Sequence, residues 1–373
     1  MNCSLTRTVD RLASAHLDPS LVSPGAMARV RRLTDALPAA LADDIYFECR
    51  LAGGRGQVDV VVQVTARGRA ILAGADPAIR LAPELASAPV WQRVRALCAA
   101  WGDGASPLAR VMDGAWLEFD LDRDAEDGGS PVLVPGVFVC LRKLGTPGDP
   151  AVLAAATAAS MAPLRDAPLP PRTAEMVRRC FEALPRPAYV THVGCFPGRG
   201  GDAVRLCFDD LPDEALPAFL SSVAWPGDLD ALSRALARFA AAGAAGERPS
   251  CSYLHLDVGA SVLPRLCREY RFDRRTQLQR GFRERGFVDA LVEMGLCAAE
   301  KRDGLLRWPG HELARLDHEL WQSRCARRLN HVKLVFDGTG AAEAKGYLAV
   351  KHQFRPATLP VRAASHGASA AAV

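Results

Sequence analysis

No two of the eleven cysteines are separated by two residues, and their number is odd, which argues against a zinc site and against a disulfide framework. No apolar run approaches the roughly 18 residues of a membrane span. The opening residues, Met1-Asn2-Cys3-Ser4-Leu5-Thr6-Arg7, lack a basic region followed by an apolar core, so secretion is not expected. Lysine is scarce, and 46 Lys plus Arg face 42 Asp plus Glu. So small a surplus supports neither a nucleic-acid footprint nor a membrane-surface one. The glycine-rich stretches contain no GxGxxG ahead of a helix and no GKS/T, so nucleotide cradles are not supported. A reduced, cytoplasmic protein is the expectation.

What is present is ordinary globular composition, 49% apolar and 24% charged, over 373 residues. Five segments read as paired strands, at 46–64, 116–142, 189–208, 253–272 and 331–352. The first, third and fifth turn at glycine-rich tips, AGGRG, PGRGG and DGTG. The second carries a long acidic loop. Helical patterns fill the intervals, at 28–43 (shortened or kinked by Pro38), 90–100, 216–223, 229–241, 276–294 and 311–327. A Trp-Pro-Gly tripeptide follows helical stretches at Trp225 and again at Trp308, as similar turns in two units would. Both tryptophans read as packing anchors. Residues 356–373 are Ala/Ser-rich without periodicity and read as a disordered tail behind a single domain at 1–355.

An isolated hairpin cannot bury its apolar face. Five hairpins backed by helices can close into one barrel, which removes every strand edge. The fold expected is therefore α+β, a ten-stranded antiparallel barrel of five αββα repeats with helices outside. Alternation assigns faces. Phe47, Cys49 and Leu51 oppose Tyr46, Glu48 and Arg50; Leu117 and Phe119 oppose Trp116, Glu118 and Asp120. Val204, Leu206 and Phe208 oppose Arg205 and Cys207; Leu254 and Leu256 oppose Tyr253, His255 and Asp257; Val332 and Leu334 oppose His331 and Lys333. The apolar faces must meet the helices, which leaves a polar lumen.

This five-fold plan, over residues 46–352, resembles the aromatic prenyltransferases of the ABBA, or PT-barrel, class. Members place a base and a tyrosine two apart on inward strand faces. Here Arg268-Glu269-Tyr270 and Lys345-Gly346-Tyr347 stand at matching repeat positions, while Arg205-Leu206-Cys207 keeps the base without the tyrosine. The resemblance implies transfer of an allylic prenyl group from its diphosphate to an aromatic acceptor, an indole, a phenol or a peptide side chain. Arg50, Arg205, Arg268, Lys333 and Lys345 would hold the diphosphate, and Tyr270 and Tyr347 would shield the allylic cation. Glu118, with Glu48 as substitute, would orient the acceptor and take its proton, and His192 and His255 could also carry it. No cofactor or metal is implied and magnesium is not required; the partners are the prenyl diphosphate and the acceptor, with no nucleic acid and no membrane.

The alternative is a non-catalytic barrel that binds a peptide or small aromatic ligand. Four or more bases converging at one end of the lumen favour the enzyme; acid–base pairs that neutralise one another favour the binder. A hydrolase or isomerase using histidine and carboxylate is a third reading, without a Ser-His-Asp order to support it. Asp209-Asp210-Leu211-Pro212-Asp213 matches a magnesium-binding DDxxD but reads as capping of the next helix. His311-Glu312-Leu313-Ala314-Arg315 has arginine where a zinc protease needs its second histidine. Cys195, Cys207 and Cys267 are possible lumen residues, but a catalytic thiol needs a base partner.

Overall fold

The computed structural model describes residues 4–54, 56–121, 133–142, 149–200, 202–242, 250–272, 277, 285–314 and 323–354. The expected tail at 356–373 and the acidic tip of the second hairpin at 122–132 lie outside them. Strands β1 (Ala42–Arg50), β2 (Val58–Val64), β3 (Met112–Phe119), β4 (Gly136–Leu141), β5 (Tyr189–Cys195), β6 (Val204–Asp209), β7 (Ser250–Val258) and β8 (Val262–Arg271) are antiparallel neighbours in chain order. A short β9 (Gly310–Ala314) precedes two long strands, β10 (Ser323–Phe336) and β11 (Ala341–Phe354). β8 pairs with β10, β10 with β11, and β11 returns to β1, which closes a ten-stranded barrel. β9 is an eleventh strand, hydrogen-bonded to the first part of β10 beyond the end of β8.

Helices surround the strands. Six of the described ones open on proline (Pro24, Pro83, Pro89, Pro107, Pro150 and Pro171), where its fixed φ suits the first turn and its missing N–H would have had no partner. Between them and the barrel lies the core. Val60, Val62, Leu117, Phe119, Leu206, Leu256, Leu334 and Leu348, all at most 1% exposed, supply its strand side. Trp91 stacks on Phe119 with centroids 6.2 Å apart and donates its indole N–H to Leu133 O at 2.8 Å. Trp225 and Trp308 behave alike, donating to Pro264 O at 3.0 Å and Arg328 O at 3.1 Å, so both are packing anchors. Each removes an aromatic surface worth about 2–3 kcal/mol from water without stranding its N–H. Gly68 is required where helix Ala66–Ala73 crosses Leu41, because a Cβ there would collide with the Leu41 carbonyl.

Two helical expectations are corrected. The pattern at 28–43 yields a helix only over Pro24–Asp35, then a short turn Ala39–Leu41, and β1 already begins at Ala42. Pro38 is itself extended (ψ 140°), and its ring and missing N–H break the helical ladder there. The pattern at 311–327 is strand at both ends, in β9 and the start of β10. Its Glu, Leu, Ala and Arg favour a helix, but Arg324 to Arg327 find ladder partners on both sides, in β9 and β11, and pairing overrides propensity.

Candidate active site

The inward faces of the strands line two adjacent compartments. One, of about 280 Å³, is mostly aromatic. Tyr46 and Trp116 lie 5.0 Å apart at 36°, His331 stacks on Tyr347 at 3.9 Å, and Arg271 covers the Tyr253 ring at 4.1 Å. The second, of about 240 Å³, is charged. Six bases line it: Arg50, Arg199, Arg205, Arg265, Lys333 and Lys345. Five acids face them: Glu48, Asp59, Glu118, Asp120 and Glu343. Glu118 and Lys333 border both compartments and so mark the seam.

Most expected site residues meet there. Glu48, Glu118, Arg50, Arg205, Lys333, Lys345 and Tyr347 face the lumen, as do His192 and His255 on the aromatic side. Arg268 and Tyr270 do not. Arg268 stands opposite Leu254 and Leu334 in the ladders, on the outer face, and is fully buried under the helices. Its Nε donates to Asp213 at 2.9 Å and its Nη2 to the Leu211 carbonyl. Tyr270 packs against Phe239 and Phe287. The inward residues of β8 are Cys267, Glu269 and Arg271 instead. Asp213 therefore serves Arg268 rather than capping the following helix, whose first turn has no side-chain cap. Cys195 also turns outward, into a small surface pocket beside Arg165.

Several contributors were not foreseen. Arg199 comes from the tip between β5 and β6 and reaches past β4 to the end of β3, bidentate to Asp120 at 2.6 Å and bound to Glu118 at 3.0 Å. Phe196 meets both the Arg199 and the Arg205 guanidinium groups, 3.7 and 4.6 Å from its ring centre. Nothing in PGRGG announced this. Glu269 and Arg271, by contrast, were readable from the alternation of Leu266, Arg268, Tyr270 and Phe272.

The bases are mostly paired. Arg205 is bidentate to Asp257 at 2.7 and 2.8 Å; Arg50 lies 3.5 Å from Asp59 and 3.4 Å from Glu343. Lys345 and the Tyr347 hydroxyl both donate to Glu48, and Lys333 donates to Tyr347. Burial opposes ionisation of Glu48, but Lys345 and Lys333 outweigh it and bring its pKa down to about 2. Asp59, its ladder partner, is pushed up to about 8 by burial and by the Glu48 charge. Glu118 is raised by the same two causes. Asp59 therefore holds its proton more tightly than an ordinary aspartate and offsets less of the positive charge around it. Burial lowers His192 to about 4 and His331 to about 3, so both are neutral.

The Asp59 shift has a measurable sign. A carboxyl whose folded pKa exceeds the unfolded value stabilises fully below about 4, and that stability is lost as pH rises towards about 8. Asp59→Asn keeps an acceptor for the Leu121 N–H and cannot ionise. Thermal melts from pH 4 to 9 should show wild type losing stability relative to this variant; parallel curves would contradict the assignment.

Among the described residues no group of three His, Cys, Asp or Glu is arranged to hold a metal ion, and no helix is long and apolar enough to cross a membrane. No family model and no curated protein matches the sequence. Among solved structures, the chain is similar to the apo form of prenyltransferase PriB, with 14% identity, a TM-score of 0.48, and 94% of this chain and 96% of that one covered. It is similar also to the 5-dimethylallyltryptophan synthase from Streptomyces coelicolor (13% identity, TM-score 0.45, 94% and 98% covered). A third likeness is to AnaPT from Neosartorya fischeri (12% identity, TM-score 0.42, 94% and 90% covered).

Proposed function

We propose that the protein transfers an allylic prenyl group from its diphosphate to a compact aromatic acceptor inside the barrel. The observation that carries this reading is the junction of an aromatic compartment with a six-base compartment across Lys333 and Glu118. Pyrophosphate leaving an allylic carbon needs concentrated, preorganised positive charge, which Arg199, Arg205, Lys333 and Lys345 supply. The allylic cation needs dry π faces beside that charge; Tyr347 and Trp116 offer them, each worth about 1–2 kcal/mol when desolvated. The acceptor ring lies among Tyr46, Trp116 and Phe138 and attacks the cation. Glu118 then accepts the ring proton: it stands at the seam beside the acceptor rings, and burial and the Glu48 charge raise its proton affinity above that of an ordinary carboxylate. Glu48 is less suited, because Lys345 and Tyr347 already occupy it.

The bases, rather than a carboxylate-held magnesium, carry the diphosphate in this reading. Asp209 and Asp213, which a magnesium site would use, are engaged with Tyr189 and Arg268. The test is incubation with dimethylallyl or geranyl diphosphate and indole or phenol acceptors, following prenylated product by mass spectrometry. Product is expected, at an unchanged rate in excess EDTA. Absence of diphosphate binding by calorimetry sinks the proposal, and a rate abolished by EDTA sinks its metal-free form.

The close acid–base pairing favours a second reading, a barrel that binds an aromatic ligand without turning it over. Saturable binding of the acceptor with no diphosphate affinity would select it.

A further inference from the structure

The aromatic compartment contains a second reactive set that prenyl transfer leaves idle. Cys207 on β6, His255 on β7 and Glu269 on β8 come from three adjacent strands, and Cys207 and His255 are direct ladder partners. All three are at least nine-tenths buried and line the cavity. Cys207 Sγ lies 3.7 Å from His255 Nδ1, and His255 Nε2 lies 2.9 Å from Glu269 Oε1, a close electrostatic contact whose angle falls short of a hydrogen bond. A carboxylate only accepts, so Glu269 places the imidazole hydrogen on Nε2 and leaves the Nδ1 lone pair facing the thiol. His331 adopts the same tautomer: Asn330 Nδ2 donates to its Nδ1 at 2.8 Å, and its Nε2 lies 3.4 Å from the same Glu269 oxygen.

We propose that Cys207, His255 and Glu269 act as nucleophile, base and orienting carboxylate towards an aryl-acyl group carried by an activated ester or thioester. This goes beyond prenyl transfer and does not rest on it. The Cys207 sulfur forms a bond to the acyl carbon while its proton passes to His255 Nδ1. The bond from the acyl carbon to the leaving oxygen or sulfur then breaks, and His255 returns the proton to that atom. Water attacks the resulting thioester in a second step, releasing a carboxylic acid and restoring the thiol.

Burial and the Glu269 charge hold the resting thiol protonated, so the proton moves only as the bond forms, which is the base-assisted route of a triad. Burial works against ionisation of Glu269, but the neighbouring His331 and His255 and Lys333 at 3.8 Å keep its pKa well below the usual range. It is therefore charged when His255 becomes imidazolium. Arg205 and Lys333, whose fields reach the sulfur, oppose the negative charge that develops on the acyl oxygen. The aryl portion fits Phe138, Trp116 and Tyr253, the rings that share this cavity with Cys207.

The test uses the full chain and 4-nitrophenyl phenylacetate. A burst of nitrophenolate equal to the protein concentration is expected, with a phenylacetyl group mapped to Cys207 by mass spectrometry after acid quench. Cys207→Ala should abolish the burst. His255→Asn should slow it about 100-fold or more, and Glu269→Gln about 10-fold. Circular dichroism establishes that the variants are folded, and the map on wild type decides the question if one is not. An unlabelled Cys207 in wild type, or a folded His255→Asn that acylates at the wild-type rate, overturns the assignment.

Discussion

Glu118→Gln is expected to lower kcat for prenyl transfer by about 10²–10⁴-fold, the range spanned by loss of a general base. Glutamine keeps the length of the side chain and an oxygen for Arg199, which donates to Glu118 at 3.0 Å, so the seam between the compartments should persist. What disappears is a carboxylate held in a water-poor site where burial and the neighbouring Glu48 raise its proton affinity. Ionisation of the prenyl diphosphate lies upstream and depends on the bases. The variant should therefore bind the diphosphate as wild type does and still release pyrophosphate slowly, with water replacing the acceptor. The wild-type rate should rise with pH through a group titrating above the ordinary carboxylate range, and that limb should vanish in the variant. Equal kcat in wild type and Glu118→Gln would remove Glu118 from the proton-transfer step.

The barrel and much of its lining were legible because a half-buried strand writes its two faces in alternate residues. Phe47 and Cys49 against Glu48 and Arg50, or Leu206 and Phe208 against Arg205 and Cys207, leave little freedom, since a one-residue slip would bury the charges among helices. β8 was misjudged where a short motif outranked this rule. Leu266 and Phe272 bracket Arg268 and Tyr270 on one face, and that face belongs to the core. Arg199 was illegible for a different reason: it reaches its partners 79 and 81 residues away from a turn whose conformation no periodicity records. The β9–β10 segment was read as a helix because its local composition says so, while the pairing that makes it strand, of its own two ends with each other and of β10 with β11, leaves no mark in local periodicity. Cys207 and His255 were visible as lumen residues, but their relation to Glu269 needed the β8 face to be correct.

The two base-x-Tyr triplets should respond oppositely to the same change. Lys345→Met removes an inward ammonium that is bound to Glu48 and lines the charged compartment. Diphosphate affinity should fall about 10–100-fold, the worth of one desolvated charge-assisted contact at about 1.5–3 kcal/mol. Arg268→Met removes an outward guanidinium with no path to the lumen, and calorimetry should return the wild-type diphosphate affinity. Its effect on stability should be small, because a methionine fills the space among apolar neighbours and Asp213, whose side chain is 30% exposed, can turn to water. Asp213→Ala is the harsher change, since it leaves a fully buried charge whose remaining partner, among the described residues, is the Leu211 carbonyl. A loss of about 3 kcal/mol is expected, read as a melting temperature several degrees lower. If Arg268→Met weakens diphosphate binding as much as Lys345→Met does, the outward assignment of β8 is wrong. The charged compartment would then have to be rebuilt with Arg268 and Tyr270 inside it and Glu269 outside.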